Sequence, residues 1–295
     1  MSLDPHRRLR QPGPPHPERW RTAEGLGQRL TFTLEPGLTF LDAVARPLLA
    51  AGLEAAALEI RGGALGPFAY VRPALSQDPR YAAYYSETFR PEGSSLIERG
   101  NVTFGRRDGA PFLHCHAIWT EPDGARRGGH VLPHETVVAE PIAAIAWGSP
   151  AIRIAAEEDA ETNFTLFHPA AAPKPGAGDT RLLAARVRPN EPIDAALEAI
   201  CRAHGIARAR LRGSVGSFAG VMFEGGREVT DIATEVLVTD GTVAPGPDGA
   251  PRADLTVALA DPRGEVHEGR LARGCNPVCI TFEVMLEALD EPGTA

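Results

Sequence analysis

The chain repeats itself at an offset of 140 residues, and this constrains its fold more than any other feature. Asp108-Gly109-Ala110-Pro111 returns as Asp248-Gly249-Ala250-Pro251. The run that follows, FLHCHAIWTEPDGARRGGHVL, stays in step with RADLTVALADPRGEVHEGRL, so that Gly124 falls on Gly264 and Gly129 on Gly269. Upstream, Arg61-Gly62-Gly63-Ala64-Leu65-Gly66-Pro67-Phe68 resembles Arg212-Gly213-Ser214-Val215-Gly216-Ser217-Phe218 with one residue inserted. A period of this length lies well outside the roughly 20–50 residues of solenoid repeats, so two copies of one domain is the economical reading. With 295 residues, 43% of them hydrophobic, the chain is long enough to bury two ordinary cores.

Each copy reads as a strand, a helix and then a series of strands. In the second copy, LLAARVRP is a strand, and Asn190 is expected to cap a helix with Ile193, Ala196, Leu197, Ile200 and Cys201 on one face. Gly205 ends it. In the first copy, RLTFTLEP precedes a helix starting near Thr39, which Pro47 should kink or shorten before Gly52. After the Gly-rich turn, short β-rich runs separated by Asp-Gly turns predict an antiparallel sheet. The fold class is therefore α+β, with few helices against a mostly antiparallel sheet in each domain. The expected organisation is a Pro/Arg-rich arm over residues 1–27, a first domain over 28–167, a Pro/Ala/Gly linker over 168–179 and a second domain over 180–295.

Charge and cysteine content narrow the function classes. The net charge is −8, Lys occurs once, at Lys174, and the one basic stretch is the arm with Arg7, Arg8, Arg10, Arg19 and Arg21. Nucleic-acid binding is disfavoured by that balance. No apolar run approaches the roughly 18 residues of a membrane span, and the first twenty residues lack the apolar stretch of a secretory signal. A cytoplasmic protein with free thiols at Cys115, Cys201, Cys275 and Cys279 is expected. Cys275 and Cys279 lack the second ligand pair of a zinc knuckle and read as ordinary thiols.

The residues with chemistry are histidines of the first copy. His114 and His116 alternate around Cys115 in a predicted strand and so project from one face. The turn at Glu121-Pro122-Asp123-Gly124 returns the chain, and Gly128-Gly129-His130 brings a third imidazole to that face. Three imidazoles are the ligand set of a zinc ion with an open fourth position. At the 140-residue offset these positions become Asp254, Thr256 and Arg270, so the second copy keeps the turns without the imidazoles. A packing requirement would be met in both copies, which favours a site.

The run DGAPFLHCHAIW, followed by DG and GGHVL, resembles the hallmark of the plants-and-prokaryotes-conserved (PPC) domain. The resemblance also takes in the upstream helix-Gly and Arg-Gly-Gly turn and the run SPAIRIAAEEDAETNFTLF. It covers residues 28–167 and, with a degenerate motif, 180–289. It implies an α+β domain that assembles as trimers, with a metal, usually taken as zinc, on His114, His116 and His130 near a subunit boundary. The family's DNA-binding label belongs to members that add AT-hooks, and no Arg-Gly-Arg core of that kind exists here. The chain departs from the pattern at His134, where Gly is usual; His134 and Glu135 either line the same pocket or end a polar strand.

The first copy carries about ten more residues than the second between the Gly-rich turn and Asp108, and all four tyrosines, Tyr70, Tyr81, Tyr84 and Tyr85, lie there. This stretch is either a lid over the metal or a short helix packing on a neighbouring subunit. As a lid it places Tyr84 and Arg90 to orient an anionic substrate, because Arg matches carboxylates bidentately. The sequence thus supports a zinc-dependent hydrolase or hydratase acting on a small carboxylated molecule, with Tyr84, Arg90 and His134 as catalytic candidates. A regulatory or DNA-associated protein with a structural or sensory metal, and a non-catalytic small-molecule binder, are the alternatives.

Overall fold

The structure is a computed structural model that describes residues 3–289, so the first two residues of the arm and residues 290–295 of the second domain lie outside it. Two helices, Phe40–Ala50 and Ile193–Ala203, stand against extended antiparallel sheet. In the first half, the Trp20–Leu34 strand pairs with Ile142–Gly148, which pairs with Ala56–Arg61. The order continues through Ser95–Arg107 and Ala110–Thr120 to Arg126–Val131. In the second half, Thr180–Val187 pairs with Val278–Ala288, and that strand with Ala209–Phe218. Glu235–Pro245, Pro251–Ala260 and Val266–Arg270 follow. The pairing order is the same in the two halves, step for step.

Each half has its own core. In the second, Ile193, Ala196, Leu197, Ile200 and Cys201 are buried on the sheet-facing side of their helix, as the periodicity predicts. Burying Leu197 or Ile200 contributes about 1.5–3 kcal/mol each. In the first, Phe40, Val44 and Leu48 do the same against Leu58, Val102 and Leu113. The Thr39 hydroxyl caps that helix by accepting from Asp42 N at 3.1 Å. Pro47 is accommodated, and the helix runs three residues beyond it.

Several local expectations change. Asn190 does not cap the second helix; Pro192 occupies that place without a side-chain bond. The Asn190 amide instead clasps the arm, accepting from Leu9 N at 2.7 Å and donating to Leu9 O at 2.9 Å. Residues 20–27, within the stretch read as an arm, are strand paired with Thr180–Val187, so one long strand serves both halves. Thr165–Ala171 is likewise strand, antiparallel to Ile152–Glu158, so residues 168–171 of the expected linker belong to the sheet. The tyrosine-rich stretch forms no helix: Pro73–Leu75 and Ala83–Tyr85 pair as a short hairpin.

The halves meet closely. Buried Asn101 of the first half donates from Nδ2 to the carbonyls of Ser214 at 3.0 Å and Val238 at 2.8 Å in the second. Gly213, at φ +52°, is there by necessity, because a Cβ would stand 2.5 Å from Leu58 O. Ile118 packs with Leu237 and Ala258 across the same boundary.

Candidate metal centre

The Ala110–Thr120 strand carries His114 and His116, and its hydrogen-bonded neighbour Arg126–Val131 sets His130 directly opposite His116. The two glycines before His130 allow this strand to sit where it does. A Cβ on Gly129 would stand 2.6 Å from Val71 O, and one on Gly128 would stand 2.7 Å from Ile118 Cδ1. The three imidazoles converge, each offering a nitrogen within 4.8 Å of the others. Two nitrogens bound to one tetrahedral ion at about 2.0–2.1 Å stand about 3.3 Å apart, so the spacing suits a shared ion.

The second half completes the cluster. The His114 Nδ1–H donates to Glu283 Oε1 at 3.0 Å, and the His116 Nδ1–H donates to Val236 O at 2.9 Å. A carbonyl can only accept, so it fixes the His116 proton on Nδ1 and leaves Nε2 with a lone pair. That Nε2 faces His114 Nε2 at 2.9 Å and Glu235 Oε2 at 2.6 Å. Two electron-rich atoms therefore face the His116 Nε2 lone pair, in a place where His116 and Glu235 are 2% and 8% exposed. Only a cation or an added proton between them relieves the repulsion. His130 Nδ1 is buried without a hydrogen-bond partner, and one nitrogen of that ring lies within 4.8 Å of those of His114 and His116. The residues fit a divalent metal.

Burial and charge shift two of the rings in opposite senses. Burial pulls the His114 imidazole down, but the carboxylates of Glu283 and Glu235 outweigh it and hold its pKa above the ordinary value. Burial, with the neighbouring His114 and His116, pushes His130 well below its ordinary value, so it stays neutral and able to ligate.

Two hollows reach the cluster. A smaller one, about 50 Å³, touches His114, His116 and Glu235 and is walled by Cys279 and Thr281. A larger cleft, about 410 Å³, opens over His114, His130 and Glu283. Tyr84 and Tyr85 line both, with Phe164. Of the residues singled out in sequence, the histidines and Tyr84 are brought together. Arg90 and His134 are not: Arg90 pairs with Glu135 on the exposed surface, and exposed His134 lies beside the Phe112 ring at 5.9 Å. Reading the sequence missed Glu235 and Glu283, whose strands match the repeat without any motif of their own.

In the second half, Thr256 sits opposite Arg270 as His116 sits opposite His130. Arg270 there pairs with Asp254 and lies 3.5 Å from Glu224. Asp261, Glu265 and His267 form the other group of this kind among the described residues. Asp261 there already accepts from Arg263 and from the backbone N–H groups of its own turn.

No helix among the described residues is long and apolar enough to cross a membrane. Residues 175–290 match the Plants and Prokaryotes Conserved (PCC) domain. Among solved structures, a plant- and prokaryote-conserved protein from Pyrococcus horikoshii is similar at 16% identity and a TM-score of 0.39, over 49% of this chain and 94% of that one. A metal-containing protein from Archaeoglobus fulgidus is similar at 18% identity and a TM-score of 0.40, over 49% and 96%. A protein from Ralstonia eutropha described as a candidate DNA-binding protein is similar at 16% identity and a TM-score of 0.34, over 46% and 88%. No curated protein sequence matches the chain.

Proposed function

We propose that the chain is a tandem pair of Plants and Prokaryotes Conserved domains, the family that residues 175–290 match, in which only the first keeps a metal centre. The identical pairing order of the two halves and their 140-residue offset support the duplication. His114, His116 and His130 are the ligands, and zinc is the ion their chemistry favours. The observation that carries this reading is the convergence of the three imidazoles, with His116 Nε2 at 2.9 Å from His114 Nε2 and 2.6 Å from Glu235 Oε2 while Val236 O takes the His116 Nδ1 proton.

The reaction class is metal-assisted hydrolysis or hydration of a small molecule entering by the larger cleft. A bound divalent ion supplies Lewis acidity, enough to activate a water or polarise a carbonyl at neutral pH. Glu235 would be the proton acceptor: its Oε2 would take the proton of the water and return it to the leaving group in hydrolysis, or to the substrate atom that gains hydrogen in hydration. Glu283 and the Val236 carbonyl hold the ring tautomers that leave both Nε2 atoms free.

Elemental analysis of the purified protein tests the centre. One divalent ion per chain, lost in the His114→Ala/His116→Ala double variant, is expected, and wild-type protein without stoichiometric metal would falsify it. Turnover of a model ester, 4-nitrophenyl acetate, tests the chemistry. Activity in the zinc-loaded protein, lost in Glu235→Gln at unchanged zinc content, supports the hydrolase. Salt-sensitive binding of duplex DNA with no ester turnover favours the regulatory reading instead.

A further inference from the structure

The larger cleft has a composition unlike the rest of the molecule. Six of its fifteen lining residues are Phe or Tyr, in a chain only 6% aromatic. Their rings already contact one another along its walls. Tyr81 and Tyr84 lie 5.1 Å and 5.8 Å from Phe164, and Phe112 lies 6.0 Å from Phe167. At about 410 Å³ the cleft is in the range of small-ligand sites.

Its charges are few. Glu283 is engaged by His114. Arg107, at the hairpin end of the Ser95–Arg107 strand, is the one Arg or Lys among the lining residues. Its guanidinium lies 5.4 Å from the centre of the Phe112 ring, and no hydrogen bond or ion pair engages it among the described residues. An unpaired guanidinium beside an aromatic wall presents a planar fork to a planar anion. A single guanidinium suits a singly charged carboxylate, whereas a phosphate dianion calls for more than one cation.

We infer that the cleft binds an aromatic carboxylate of one or two fused rings, its ring between the Tyr84–Phe164 and Phe112 walls and its carboxylate on Arg107. This deepens the enzyme reading by naming a substrate class and rests on that reading only for which end of the molecule reacts. The sequence points to Arg90 for the anion; the structure assigns the role to Arg107.

Calorimetric titration of the zinc-loaded protein with 2-naphthoate, its saturated counterpart and 2-naphthamide tests the inference, with zinc content measured on the same samples. Wild type should bind 2-naphthoate, and the saturated acid and the amide should bind at least about tenfold more weakly. Arg107→Gln should weaken 2-naphthoate by about tenfold or more at unchanged zinc content. The inference is overturned by absent binding of 2-naphthoate to wild type, by equal binding of the saturated acid, or by equal binding to Arg107→Gln. Arg107-dependent binding to a protein that holds no zinc would sustain the cleft assignment while removing the metal-centre reading.

Discussion

Glu283 Oε1 lies 3.0 Å from His114 Nδ1, so a carboxylate of the second half holds an imidazole of the first. Glu283 is 5% exposed and stands opposite Arg186 in the paired strands. The half that lacks the three-histidine cluster therefore forms a wall of it, because its strands deliver the groups that hold the rings. Replacing Glu283 by Gln removes the charge while keeping the shape. Loss of such a partner typically costs 10–100-fold in metal affinity. Chelator competition should show a drop of about that size in Glu283→Gln, and unchanged affinity would mean that His114 is oriented by packing alone.

Metal removal should register as lost stability. An ion that binds only the folded chain stabilises it by about 2.7 kcal/mol at a free concentration one hundred times Kd. Thermal unfolding of wild type should therefore shift down by several degrees when zinc is exchanged for a chelator. His116→Ala should show the same unfolding temperature with and without zinc, since the ring that links Val236 to Glu235 is gone.

Acid sensitivity has a separate source. His168 Nε2 lies 2.8 Å from Arg186 Nη1, in a buried group with Asp159 and Arg188. Burial, reinforced by the two guanidinium charges, pushes the His168 pKa down to about 3. An unfolded histidine titrates near 6.5, so between about pH 6.5 and 3 the unfolded chain binds more protons and stability falls as pH falls. Above pH 6.5 this contribution is complete. The slope is at most about 1.4 kcal/mol per pH unit. Denaturant unfolding from pH 7 to 5 should fall more steeply for wild type than for His168→Gln. Parallel curves would show that His168 is not held neutral. Asp159 enters only at lower pH. Burial raises its carboxyl, but Arg186 and Arg188 outweigh burial and hold it well below the usual range.

Arg90 and His134 provide the negative case. Arg90 and Glu135 are both about half exposed, and a surface pair of that kind contributes about 0–1 kcal/mol. Arg90→Ala and His134→Ala should leave zinc content, 2-naphthoate affinity and unfolding free energy within about 0.5 kcal/mol of wild type. A marked loss of ligand affinity in Arg90→Ala would move the anion site away from Arg107.

The difference between Arg90 and Arg107 shows what a sequence can disclose here. Period-two alternation puts His114 and His116 on one face, and an Asp-Gly turn brings His130 back beside them, so the histidine trio is local information. The repeat is visible because turn glycines keep their spacing. Glu235 and Glu283 lie more than one hundred residues away and reach the histidines only by packing of one half on the other. Nothing in their neighbourhoods distinguishes them from other strand carboxylates. Asn190 was misread for a related reason: the side chain that suits a helix cap also suits a clasp on backbone, and the arm that takes it lies 181 residues upstream.

The duplicated register allows the site to be copied. Thr256 and Arg270 are directly paired, as His116 and His130 are, and Asp254 stands two residues before Thr256 as His114 does before His116. If strand geometry is enough to converge three imidazoles, the triple change Asp254→His, Thr256→His and Arg270→His should raise the metal content from one ion per chain to two. No counterpart of the Glu283 contact is formed by Asp254, whose ion pair is with Arg270 on a half-exposed surface. The new site should therefore bind zinc more weakly than the original by about the 10–100-fold attributed to outer carboxylates. Metal analysis after dialysis against graded chelator would resolve the two affinities. A second site equal to the first would assign the affinity to the three histidines alone, and a stoichiometry still at one would make the opposing half indispensable.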